Sequence, residues 1–310
     1  MVKKRILAVL LAFSFVLGCM SPVTASAAKK KKYRLTSYSV KSSRADTVTG
    51  ETFRYNTAKR QVKMQYYCKS GDTCSYGSYS VIQYSAAGQI MWVKTYDSKG
   101  NCSEIIRHTY DAGGRLVKST DTWQNGEQHE GGANFTQDYD ADGKLIRRTY
   151  KTGSDPETWQ SYAETVYEYD TAGKVLKTTT TGTSTSADTD VFEYNTDGQM
   201  ISCHSADPAG GDSDICQYDA KGRLIREECV WDNQFTESDQ YRYNSRGQLS
   251  KLTKYDSDSL TQDSGNAETQ TATMHYKAVT SKWAPDVWKD VQTLLHESLG
   301  PDEKIVVLLP

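Results

Sequence analysis

The chain has 310 residues, 37 basic against 39 acidic, and only 37% hydrophobic types, below the 45–50% usual for globular domains. Charge so balanced, with no basic stripe, argues against a nucleic-acid partner. The low apolar content, together with 21 tyrosines, suits a thin β-array better than a thick core.

Residues 1–27 read as a secretory leader. Lys3, Lys4 and Arg5 give the positive region, Ile6 to Val16 the apolar core, and Ala25-Ser26-Ala27 the small residues for cleavage. The apolar run is short for a membrane span, so no transmembrane helix is expected in the mature chain. The same leader holds a second exit, because Val16-Leu17-Gly18-Cys19 resembles a bacterial lipobox that would place a lipid on Cys19. The downstream pattern fits better, so cleavage after Ala27 and secretion, with at most loose attachment to the cell envelope, is the favoured reading. Residues 28–50 begin with Lys29 to Lys32 and continue Ser/Thr-rich, which reads as a flexible segment outside the array.

From Phe53 the text becomes strand-like. A phrase then recurs seven times: Tyr, a short polar residue, two variable residues, Gly, a basic or amide residue, and an aliphatic. Tyr110-Asp111-Ala112-Gly113-Gly114-Arg115-Leu116 is one clear copy, and Tyr139 to Leu145 and Tyr218 to Leu224 are others. Copies starting at Tyr84, Tyr169, Tyr194 and Tyr243 keep the frame. Asp or Asn first and Gly fourth is the signature of a type I turn closed by a left-handed glycine. The structural turn glycines are therefore Gly88, Gly114, Gly143, Gly173, Gly198, Gly222 and Gly247. Tyrosines and phenylalanines two apart, such as Tyr167 and Tyr169, share one face of a strand. Each repeat is thus a β-hairpin of about 25 residues, and hairpins must stack edge to edge to bury their aromatic faces. Tyr96-Asp97-Ser98-Lys99-Gly100 adds a copy only 12 residues after Tyr84, which predicts a tighter meander there. Asn125-Gly126 reads as a tight hairpin turn, while the stretches from Gly182 to Asp190 and from Ser257 to Glu268 read as mobile loops.

The phrase resembles the YD repeat of RHS proteins, over roughly Phe53 to Tyr276. The resemblance implies a β-ribbon of stacked hairpins, which in large members winds into a hollow shell around a toxic C-terminal domain. Seven copies are too few for a closed shell on this reading, and nothing after Tyr276 resembles the family's core segment or a toxin domain. The fold class expected is therefore all-β, an open array of stacked antiparallel β-hairpin repeats over 51–280. After it, residues 281–310 form a cap. Pro285-Asp286 opens a helical pattern through Val287, Trp288, Val291, Leu294, Leu295 and Leu299, stopped by Gly300-Pro301. That short capping helix is expected to cover the last open sheet edge, with Ile305 to Leu309 adding a strand or packing beneath it.

Six cysteines follow the leader. Cys68 with Cys74, and Cys203 with Cys216, flank turn-like spacers and are candidate cross-strand disulfides, with buried thiols the equal alternative. Asp138-Tyr139-Asp140-Ala141-Asp142-Gly143 copies half a calcium loop, but Thr149 stands where the bidentate Glu belongs. No metal site and no cofactor are expected. The five histidines are scattered, and no nucleophile elbow, His-Glu-x-x-His pair or phosphate loop occurs. Trp123 and Trp231 each lie nine residues after a repeat's Gly, where an indole at a loop rim can stack on a sugar ring. The first functional reading is a non-catalytic secreted protein binding a cell-wall or capsular polysaccharide, or a surface protein, through its β-array. The second is a structural or shielding element around another secreted protein or toxin, and the third a glycan hydrolase.

Overall fold

The computed structural model describes residues 32–43, 45–125, 128–153, 161–182, 187–206, 213–231, 234–256 and 268–279, together with 283, 285 and 287. The strands are β1 (Lys32–Ser42), β2 (Thr47–Asn56), β3 (Gln61–Ser70), β4 (Thr73–Tyr84), β5 (Ile90–Tyr96) and β6 (Cys102–Tyr110). Then come β7 (Leu116–Asn125), β8 (Gln128–Tyr139), β9 (Leu145–Gly153), β10 (Ser161–Tyr169), β11 (Val175–Gly182) and β12 (Asp188–Tyr194). The last are β13 (Met200–Ser205), β14 (Ser213–Tyr218), β15 (Leu224–Trp231), β16 (Gln234–Tyr243), β17 (Leu249–Asp256) and β18 (Glu268–Val279).

Every strand pairs antiparallel with its neighbours in the chain, and β1 pairs with both β2 and β18. The meander therefore closes into an 18-stranded barrel. This corrects two expectations. The array is not open, and the stretch expected to stay outside it supplies β1 and the start of β2. Closure removes every sheet edge, so no cap over a last edge is needed. The expected capping helix itself lies outside the described residues, apart from Pro285 and Val287.

The repeated phrase builds one end of the barrel, called here the turn end. At Asp111 the backbone N–H donates to the Arg115 carbonyl, the Gly114 N–H donates to the Asp111 carbonyl, and Asp111 Oδ1 accepts from the Arg115 N–H at 2.8 Å. Gly114 sits at φ +82° and Gly143 at +86°, a region where a Cβ is resisted. The other five turn glycines share the conformation. After each turn one residue bulges. Tyr110 faces Leu116 but Thr109 faces Lys118, so the tyrosine and the aliphatic point to the same side. A bulge of this kind bends the strand and raises its twist, and it recurs in the hairpins beginning at Tyr84, Tyr139, Tyr169, Tyr194, Tyr218 and Tyr243.

Neighbouring repeats are locked by two contacts. The Tyr139 hydroxyl donates to the Leu116 carbonyl at 2.8 Å, and the Arg115 guanidinium lies 4.8 Å from the centre of the Tyr139 ring. Tyr169 repeats this with Leu145 and Lys144, Tyr194 with Val175 and Lys174, and Tyr243 with Leu224 and Arg223. In these four copies the residue after the glycine is basic and covers the next repeat's ring, whereas Gln89 and Gln199 stand at the same position and donate to the Gly114 and Gly222 carbonyls.

The same grammar closes the ring. Tyr276 on β18 faces Leu35 on β1, with a bulge at once after Leu35. The Tyr55 hydroxyl donates to the Leu35 carbonyl at 2.7 Å, and Arg34 lies 4.7 Å over the Tyr55 ring. Arg34-Leu35 therefore does what Arg115-Leu116 does, and Tyr276 does what Tyr110 does. The seam is a repeat split between the two ends of the chain. Arg246 of the last copy lies 4.3 Å over Tyr33, which carries the ladder across it.

Candidate functional site

Strand alternation sends one set of side chains into the barrel. Nearest the turn end the inner row alternates tyrosine with aliphatic residues, as in Tyr84, Ile90, Tyr243 and Leu249. Tyr84, Ile90 and Leu249 form one buried cluster with Val62, Ile82, Leu252 and Met274, with Tyr243 packed against it; Tyr167, Val175, Phe192 and Met200 form a second, and Leu224 packs against both. Val287 and Trp283 join the first cluster. Val287 is 1% exposed, the Trp283 ring meets Tyr84 edge-on at 5.7 Å, and its carbonyl accepts from Arg34 Nη2. The turn end of the barrel is therefore filled with apolar side chains.

Further along the same strands the inner wall changes character. The register sets Cys216, Glu227, Asp239 and Lys254 side by side on β14 to β17. The next inner row toward the far end reads Cys203, Asp214, Cys229 and Glu237. The Tyr241 hydroxyl donates to Glu227 Oε2 at 3.0 Å, and Lys254 Nζ reaches Glu237 at 2.6 Å. Burial, then Asp239 and Asp214, push the Glu227 carboxyl up to about 8. Burial lifts Asp239 to about 7 against the pull of Lys254. Around the ring, Glu51 on β2 is lifted to about 7 by burial, opposed by the hydrogen bond from Tyr38. Taking carboxylates from water disfavours their charged form, and like neighbours add to the effect.

Opposite this sector, Glu104, Asp121 and Trp123 share the inner face of β6 and β7. Glu104 faces Trp123 directly, and Asp121 faces Ile106 of the buried cluster. The Trp123 indole N–H donates to Asp121 Oδ2 at 2.8 Å, and Thr95 Oγ1 donates to Glu104 Oε2 at 3.1 Å. Asp121 is 5% exposed, and burial followed by the charge of Glu104 lifts it to about 7. Trp123 itself is 39% exposed. It stands on the inner wall toward the far end, rather than on an outer loop rim. Trp231 ends β15 opposite Gln234, and its side chain lies outside the described residues. The structure describes no geometry that joins the two tryptophans.

The cysteine readings need correction. No disulfide is present among the described residues. Lys69 faces Cys74 and Cys68 faces Ser75, so Cys68 and Cys74 point to opposite faces and cannot bridge. Cys203 and Cys216 share the inner face but stand diagonally, since Cys203 faces Asp214. Both are buried in the second cluster, and burial pushes the Cys216 thiol up. Cys19 lies outside the described residues. Among the described residues no group of three or more His, Cys, Asp or Glu is placed to hold a metal ion.

Residues 27–210, more than half the chain, match the family described as the Teneurin YD-shell. The chain belongs to the YD-shell family. Among solved structures, the crystal structure of TcdB2-TccC3-Cdc42 is similar at 15% identity and a TM-score of 0.39, over 76% of this chain and 15% of that one. A porin-like protein from Bacteroides uniformis is similar at 12% identity and a TM-score of 0.42, over 78% of this chain and 98% of that one. No curated protein matches.

What the YD repeat makes visible in sequence is the turn end alone. The acidic rows stand at positions the phrase does not specify, and sequence reasoning missed Glu51, Glu104, Asp121, Glu227 and Asp239. A signal did exist for Asp239, two residues before Tyr241 on the same strand face, whereas Glu227 lies three residues after Leu224 with a bulge between them. Reading Glu227 required knowing how each bulge shifts the alternation.

Proposed function

We propose that this chain is a structural, enclosing element that works outside the cell: a closed YD-repeat shell holding part of another secreted polypeptide within its wall. The observation that carries the reading is the seam. A split repeat at Tyr276, Arg34 and Leu35 joins the two ends of the array by the contacts used between ordinary repeats. A binding surface has no need of closure, whereas an enclosure does. The reading is non-catalytic, and the secretory leader pattern supports the location.

The reading is tested by isolating the chain from its producing cell by gentle affinity capture and treating it with protease. An enclosing shell brings a second polypeptide with a protease-resistant segment, and deleting residues 32–42 leaves that segment degraded. A chain that arrives alone and turns over members of a glycan panel would overturn it.

A further inference from the structure

We propose that the acidic inner wall is a docking site for a cationic polypeptide segment, rich in Lys and Arg, from a chain other than this one. The proposal rests on the enclosing reading and names what is enclosed.

Closed barrels of 16–18 strands leave a channel rather than a filled core. Here the inner face carries acids on well-separated strands: Glu51 on β2, Glu104 and Asp121 on β6 and β7, and Glu227 and Asp239 on β15 and β16. Beyond the turn end, where Arg34 meets Trp283, the inward bases among the described strand residues are His108, hydrogen-bonded with Ser119, Arg148, whose guanidinium lies 4.7 Å from the Phe135 ring, and Lys254, paired with Glu237. Buried carboxylates are costly without a cation; Lys254 lies by Glu227 and Asp239, but no described cation acts on Glu51 or Asp121. Asp121 Oδ1 and Asp239 Oδ1 are buried and accept no hydrogen bond among the described residues. The group beside Asp121 is Glu104, another carboxylate.

Two aromatic rings complete the wall. Trp123 is 39% and Tyr66 36% exposed on the inner face, and such rings attract ammonium and guanidinium groups. The acids ring the lumen, so the guest must present positive charge on several sides. A chain of Lys and Arg side chains does this.

Lys32, the first residue of β1, stands at the turn end, away from the acidic rows. After Val287, Lys289 and Lys304 are outnumbered by Asp290, Glu297, Asp302 and Glu303.

The test is fluorescence anisotropy of labelled octa-arginine with the full mature chain. Asp121→Asn with Asp239→Asn should weaken binding at least tenfold, while Glu164→Gln with Glu168→Gln, on the outer face, should change it less than twofold. The inner variants remove buried charge, so their melting temperatures should equal or exceed the parent's and rule out misfolding as the cause. Equal loss from inner and outer variants, or no binding by the parent, overturns the proposal. Spermine binding as tightly as octa-arginine overturns the commitment to a polypeptide. If β1 and β18 are shown to be joined and the peptide still fails to bind, the guest assignment falls and the shell reading stands.

Discussion

The turn end and the acidic wall are built from the same strands, yet opposite rules govern them. At the turn end the same contacts recur from repeat to repeat: a short polar residue closes the turn, five of the seven tyrosine hydroxyls donate to a carbonyl, and in four copies a base covers the next ring. A few residues further along, the inner face collects carboxyls that burial and one another hold near neutrality. Stability resides in the first region, and the second works against it. Such local disagreement is where functional sites are expected.

The largest effect should come from emptying the apolar end. Leu252, 2% exposed in the first cluster, faces Tyr241 and Ala272 across β17. Leu252→Ala should cost about 3 kcal/mol, read as a fall in the denaturation midpoint at unchanged slope. A cost below about 1 kcal/mol would mean that the turn end is not the stabilising half.

The acidic wall should respond in the opposite sense. Glu51, about 7 in the fold against roughly 4.3 when unfolded, binds its proton more tightly in the native state. The stability it contributes is therefore present at low pH and lost as pH rises through the folded value. Glu51→Gln keeps an acceptor for Tyr38 and removes that loss. It should stabilise by on the order of 2 kcal/mol at pH 8 and by almost nothing at pH 4. Glu227, at about 8, extends the window, so the parent should melt at a lower temperature at pH 8.5 than at pH 5.5. A melting temperature that rises across that range would contradict the electrostatic account.

A smaller effect separates the two ends at glycines. Gly143 sits at φ +86°, where an added Cβ would also meet Arg115 Nη1 at 3.1 Å, and Gly143→Val should cost about 1–3 kcal/mol. Gly182, expected in a mobile loop, is the last residue of β11 and faces Ala163. Gly182→Val should lower the melting temperature by less than half as much, and equal losses would break the distinction.

The turns were legible because their cause is local: Asp, Gly and their spacing fix a turn within seven residues. The seam was not, because Arg34-Leu35 is half a phrase and its tyrosine, Tyr276, stands more than 200 residues away. The tightly spaced copy at Tyr96 was recognised, and its Gly100 adopts φ +91°. Its hairpin joins β5 to β6, which places it at the far end rather than among the other turns. The disulfide expectation for Cys68 and Cys74 failed for a reason of parity, since the two-residue turn at Gly71 and Asp72 sets Cys74 against Lys69. The inner acids were hidden by the same parity, reset at every bulge. Trp123 was singled out for its ring, but its anchor, Asp121, was not.

Closure is the central claim, and a cross-link across the seam tests it most directly. Ser39 on β1 faces Thr273 on β18. In the Ser39→Cys, Thr273→Cys variant, mild oxidation followed by peptide mapping should recover a 39–273 disulfide in the monomer, without a change in melting behaviour on reduction beyond the loss of the link. An array with open edges would instead give no 39–273 link, or a link only between two copies in a covalent dimer.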